Sequence, residues 1–175
     1  GSAIRPGDIL HMRNGKTIEV INTDAEGRLI MADALAFASE SKPDIICDVA
    51  TLTGAAYVAL GVEIGAVFSN NKVTLDSFLN SNNDGFENYH SLPLEQSYKS
   101  QIKSSIADMK NSGGRFGGAI TAALLLEEFV DDLNWIHLDI AGPARSRSSG
   151  SFYPEGGTGF GVLGYFNFLT YEANN

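Results

Sequence analysis

Asn22-Thr23-Asp24-Ala25-Glu26-Gly27-Arg28-Leu29-Ile30-Met31-Ala32-Asp33-Ala34-Leu35 is the stretch from which the rest of the chain can be read. It sets two carboxylates and a guanidinium at spacing two, directly before an apolar run with helical periodicity. In an extended segment, residues i, i+2 and i+4 project to one side, so Asp24, Glu26 and Arg28 would face one site. Two hard oxygen donors beside a fixed cation suit a divalent metal ion next to a bound anion. The same run also fits a solvated edge with internal charge pairing. Residue types alone leave both readings open.

Outward from that stretch, 43% hydrophobic against 19% charged residues describes a globular chain. Its 175 residues suffice for one domain with a core. A formal charge of −9 without any basic cluster disfavours nucleic acid and anionic membrane surfaces as partners. The single cysteine, Cys47, excludes an intrachain disulfide and fits a reducing compartment. It follows Ile45-Ile46 in an apolar run and reads as a small core residue, not a nucleophile. No apolar run approaches the ~20 residues a membrane span needs, and no signal peptide is visible, so the expected localisation is cytoplasmic.

The runs at 9–12 and 17–21 flank Arg13-Asn14-Gly15-Lys16, where the Asn-Gly pair predicts a β-hairpin. Residues 28–40 predict a helix with Leu29, Met31, Leu35 and Phe37 apolar among alanines, stopped at Ser41-Lys42-Pro43. Residues 44–50 predict a buried parallel strand and 64–68 a second strand. Helices are expected at 73–80 and 95–104, while 54–60 is ambiguous. The clearest long helix lies within 114–131, followed by a strand at 135–140 and a terminal helix at 159–171. This alternation predicts an α/β fold, a mixed, largely parallel sheet flanked by helices in one domain over 1–175. Ligands of such sheets gather beyond the carboxyl ends of the strands.

The opening stretch closely resembles the signature of the leucyl aminopeptidase (cytosol aminopeptidase) family. Further blocks match that family in its order: ATLTGA at 50–55, IADMKNSGGR at 106–115, GGAITAALLLEEFV at 117–130, WIHLDIAGPA at 135–144 and TGFGV at 158–162. The resemblance implies a dinuclear-metal aminopeptidase that releases leucine-like N-terminal residues from peptides. It makes Asp24 and Glu26 metal ligands, with Glu26 bridging two divalent ions (Mn2+, Zn2+ or Mg2+). It gives Arg28 a catalytic role, holding a bicarbonate-like anion that serves as base for the attacking water. It makes main-chain groups of Thr51, Leu52 and Gly54 the cradle for substrate and anion, and sets Ala141 and Ala144 near the pocket for the N-terminal side chain. It further implies a homo-oligomer, a hexamer in the intact family.

The family's upstream segment, of the form V-G-K-G-x-T-F-D-S-G-G, supplies further ligands and a catalytic lysine, and has no counterpart here. Its separate N-terminal domain has none either. The chain therefore reads as the C-terminal portion of a catalytic domain, expected to bind metal weakly and to be inactive alone. A competing expectation is a non-catalytic, truncated paralogue acting as an oligomerising or binding module. The glycine-rich loop 113–118 invites a phosphate-binding reading, yet it lacks both G-x-x-x-x-G-K-[ST] and a clean G-x-G-x-x-G, so tight packing is expected there. His11, His90 and His137 have no H-x-x-x-H spacing, and no G-x-S-x-G elbow occurs. His137, within a strand, is expected in the core.

Overall fold

A computed structural model of the protein describes residues 3–83, 85–150 and 153–174. In chain order the elements are β1 (Ile9–His11), β2 (Thr17–Glu19), a 3-10 turn at Thr23–Ala25, α1 (Gly27–Ser39), β3 (Ile45–Ala50), α2 (Gly54–Leu60) and β4 (Ile64–Ser69). They continue with α3 (Lys72–Ser81), β5 (Asn88–Ser91), a 3-10 helix at Gln96–Ile102, β6 (Met109–Lys110) and α4 (Gly118–Glu127). β7 (Asn134–Asp139), β8 (Arg145–Ser146), β9 (Gly156–Gly157) and α5 (Val162–Ala173) complete them. The chain divides into two compact units, residues up to Ile46 with Leu94–Trp135, and Cys47–Pro93 with the residues from Ile136 onward.

In the first unit, β1 and β2 pair antiparallel and β2 pairs parallel with β6. The hairpin turn closes through Gly15 N–H to Met12 O (2.9 Å) and Met12 N–H to Lys16 O (2.8 Å). Gly15 takes φ +87°, and Asn14 does not join it in the left-handed region. This is a three-residue loop with a left-handed glycine, not the two-residue turn that an Asn-Gly pair favours. α1 turns Leu29, Ala32, Leu35 and Ala36 inward. Phe37, expected on the apolar face, is 63% exposed and lies under the Arg13 guanidinium, 4.8 Å from the ring centre. The two alanines take the inward positions because they let α1 approach α4 closely.

α4 is buried on nearly every side, from Thr121 through Leu126. A helix apolar all round belongs in a core. It starts at Gly118, later than expected, because Gly117 is left-handed (φ +65°) and interrupts helix propagation. A Cβ at Gly117 would come 2.8 Å from the Tyr98 ring, and one at Gly113 would come 3.1 Å from Thr121 Oγ1. Close packing accounts for both glycines. The expected helix at 95–104 is a 3-10 helix, which Glu95 caps by accepting a hydrogen bond from Ser97 N–H.

The second unit carries most of a four-stranded sheet of order β3-β7-β4-β5. β4 runs parallel to β5 and antiparallel to β7, with Ala66 opposite Asp139. The fold class is α/β with mixed sheets. β4 and β7 are central and buried, whereas β3 is an edge strand and Val49 is 45% exposed. The expected full burial of this strand fails because one of its sides has no neighbour among the described residues. Phe78 anchors α3 in an aromatic cluster with Tyr89, Tyr165 and Phe168. Glu87, nearly fully buried, caps α5 from a distance, accepting from Gly161 N–H (2.9 Å), Gly164 N–H (2.7 Å) and Tyr89 O–H (2.6 Å). A carboxylate there is favoured by the helix dipole and satisfies orphan N–H groups.

Candidate active site

The extended geometry that would set Asp24, Glu26 and Arg28 on one side is not what forms, while Arg28 opens a helix as its periodicity predicts. Thr23–Ala25 is a single 3-10 turn, Glu26 has helical φ and ψ, and Arg28 already belongs to α1. Two side chains impose the turn. Asn22 Oδ1 accepts from Asp24 N–H at 2.9 Å, an Asx turn built into the sequence. Asn111, fully buried, takes up the surrounding backbone. Its Oδ1 accepts from Ile21 N–H (2.9 Å) and Asn22 N–H (3.2 Å), and its Nδ2 donates to Asn22 O (2.6 Å) and Ala25 O (3.4 Å). With those backbone groups engaged, no strand ladder is left for this segment to join.

On this scaffold Asp24 and Glu26 are exposed, and Arg28 is 8% exposed. The Arg28 guanidinium donates from Nη1 to Asn111 O at 3.0 Å, so one asparagine holds both the turn and the cation beside it. Two exposed carboxylates next to a fixed, largely desolvated guanidinium can hold a hard cation and an adjacent anion. Among the described residues, no group of three or more His, Cys, Asp or Glu is placed to hold a metal ion.

Thr51, Leu52 and Gly54 lie where β3 passes into α2, in the second unit. Thr53 caps α2, its Oγ1 accepting from Ala56 N–H at 3.0 Å. The loop is fixed by Asp139, 1% exposed at the end of β7. Its Oδ1 accepts from Leu52 N–H (3.1 Å), Thr53 N–H (3.3 Å) and Ala141 N–H (3.2 Å), and its Oδ2 from the Thr53 hydroxyl (2.6 Å). A buried carboxylate is tolerable when donors surround it in this way. Asp139 therefore joins the loop bearing Thr51, Leu52 and Gly54 to the one that begins at Ala141. Ala141 lines a cavity of about 460 Å³ with Tyr57, Val62, Gly142 and two arginines. Ala144 is not among its lining residues; its backbone instead bonds to Ile140 O (3.0 Å) and accepts from Thr158 N–H (3.1 Å).

Sequence reasoning missed Asn111 and Asp139. Each sits inside a quoted block, and Asp139 carried a signal, a lone charge closing an apolar strand. His137 is a core residue as expected, 1% exposed, with Nδ1 at 2.5 Å from Asp48 Oδ1. Burial pushes the Cys47 thiol up to about 12, in keeping with an inert side chain. Among the described residues, no helix is long and apolar enough to cross a membrane.

Known proteins match this chain closely. It is 51% identical over 174 residues to a protein of Synechococcus sp. (strain CC9902) described as a probable cytosol aminopeptidase, covering 99% of this chain and 36% of that one. It is 51% identical over 171 residues to a similarly described protein of Syntrophotalea carbinolica, covering 98% of this chain and 34% of the relative. The chain thus spans about a third of the length of these curated relatives. A solved mutant of tomato leucine aminopeptidase superposes with a TM-score of 0.89 at 44% identity, over 95% of this chain and 32% of that one. The bottromycin maturation enzyme BotP in complex with Mn gives 0.91 at 39% identity, over 97% and 38%. Residues 1–164 match the catalytic domain of the cytosol aminopeptidase family, and the chain belongs to that family.

Proposed function

We propose that this chain serves as the C-terminal portion of the catalytic domain of a metal-dependent aminopeptidase that releases leucine-like N-terminal residues from peptides. The observation that carries the reading is the exposed pair Asp24 and Glu26 beside a buried Arg28, within a chain matching that catalytic domain. Asp24 and Glu26 act as ligands of divalent ions, and a relative that binds manganese supports this choice of ion. When bound, such ions polarise the scissile carbonyl and lower the pKa of water. Arg28, held by Asn111, would hold a bicarbonate-like anion, which would supply a base for the attacking water. The 51–54 loop, held by Asp139, presents main-chain groups of Thr51, Leu52 and Gly54 to the peptide. Ala141 leaves room for the substrate's N-terminal side chain in the cavity it lines, and Ala144 follows it in the chain without lining that cavity. As in the homo-oligomeric family, peptides are the expected ligands of an assembled, hexameric enzyme.

Because the described donors are two carboxylates, the 175-residue chain alone should bind manganese weakly and show little turnover. The alternative is a non-catalytic module that retains self-association. A chimera separates the two, with this stretch replacing the matching third of the Synechococcus relative. The chimera should hydrolyse a leucyl anilide with manganese and lose the activity in Asp24→Ala and Arg28→Ala. A folded, oligomeric but inactive chimera would refute the catalytic reading. Fast turnover by the isolated chain would refute the need for further donors.

A further inference from the structure

The chain carries 21 acidic and 12 basic residues, so a concavity with cationic excess runs against its background. One exists in the second unit. Arg145, in β8, and Arg147, two residues on, line both the 460 Å³ cavity beside Ala141 and a neighbouring cavity of about 570 Å³. Each cavity sets the two arginines against one glutamate, Glu155 in the first and Glu63 in the second. None of the ion pairs among the described residues includes Arg145 or Arg147. The larger cavity adds apolar walls from Val62, Phe86, Pro143 and Phe160. Its β8–β9 rim is held by main-chain pairing of Arg145 with Gly157 and Ser146 with Gly156. Thr158 reinforces it, with its hydroxyl donating to Pro143 O at 2.7 Å.

We propose that Arg145 and Arg147 form a carboxylate-recognition site for the peptide substrate, next to the cavity that Ala141 lines. The proposal rests on the peptidase reading above. A guanidinium offers a planar fork of donors that matches a carboxylate, and two of them in a concave, partly apolar site strengthen the local field. The apolar walls select carboxylates carried on a hydrocarbon body over small inorganic anions. An acidic side chain and a free C-terminus share this chemistry.

The test is calorimetric titration of the 175-residue chain, without metal, with Leu-Leu, Leu-Leu-amide and Glu-Leu-amide. At least one peptide bearing a carboxylate should bind about tenfold more tightly than Leu-Leu-amide, roughly 1.4 kcal/mol. Tighter Leu-Leu assigns the site to the C-terminus, and tighter Glu-Leu-amide to a side chain. Arg147→Gln and Arg145→Gln should remove the difference, and both positions are exposed, so the fold should survive; circular dichroism checks that. Equal binding of all three peptides, no binding at millimolar concentration, or an unchanged preference in both variants would overturn the proposal. Failure of the peptidase reading would show separately, in the manganese-dependent chimera, because this titration involves neither metal nor hydrolysis.

Discussion

Replacing Asp139 with asparagine keeps the side-chain shape and removes the charge on which the 51–54 loop depends. Three N–H groups converge on Oδ1 at 3.1, 3.3 and 3.2 Å, and the Thr53 hydroxyl donates to Oδ2 at 2.6 Å. Bonds to an ionised acceptor contribute about 1.5–3 kcal/mol each against about 0.5–1.5 for neutral ones. Opposite Thr53, the new amide NH2 cannot accept, so the hydroxyl proton loses its partner while its oxygen still receives Ala56 N–H. Relief from burying a carboxylate offsets part of the loss. The net expectation is a destabilisation of about 2 kcal/mol, and about 4 kcal/mol for Asp139→Ala, which leaves every donor unmet. For a chain of this length the asparagine variant should melt roughly 4–8 °C lower. Thermal melts followed by circular dichroism measure the shift, and hydrogen exchange localises it. Amides of Leu52, Thr53 and Ala141 should exchange faster, while those of Ala66, Val67 and Phe68 in β4 stay protected. A melting point within a degree of wild type, with unchanged protection at the three amides, would refute the reasoning.

Asn111→Ala should destabilise the chain by roughly 3 kcal/mol, since four backbone groups around the 22–25 turn lose their partner. In the chimera it should also weaken manganese binding without touching either carboxylate, and intact affinity would show that the turn holds itself. The Glu128 carboxyl is raised by partial burial, but hydrogen bonds from Lys16 and Lys99 outweigh this and leave it below its ordinary value of 4.5. Its stabilisation is therefore present above that pH and lost as pH falls through the depressed value. Glu128→Gln should flatten the acid-side loss in urea titrations by about 1 kcal/mol at most, after solvent screening, and an unchanged slope would show that the network is inert. Cys47, with its thiol pushed up to about 12, should react with a disulfide reagent at pH 8 roughly 100–1000-fold more slowly in the native chain than in urea. Equal rates would place the thiol in open solvent.

Much of this protein is legible along the chain. The apolar periodicity of α1 and the run ending in β7 are local patterns, and Asp24, Glu26 and Arg28 stand within a few residues of one another in the chain. Ordered sequence blocks carry the family for the same reason, because each encodes a short piece of backbone with its own side chains. Local pattern ends where hydrogen bonds begin to span the chain. Asn111 reaches back 89 residues to Asn22, Asp139 reaches 87 to Leu52, and Glu87 reaches 74 forward to Gly161. Each is a buried polar group whose position is set by its partners, and nothing in its own neighbourhood announces them. That is why residue types alone left the backbone at 22–26 open between an extended segment and the 3-10 turn that the fold makes. It is also why Phe37 looked like core and lies under Arg13 at the surface. Residue order alone determined which side chains are available for chemistry. The tertiary structure decided which of them are held still, because only folding brings a buried acceptor to the donors it must satisfy.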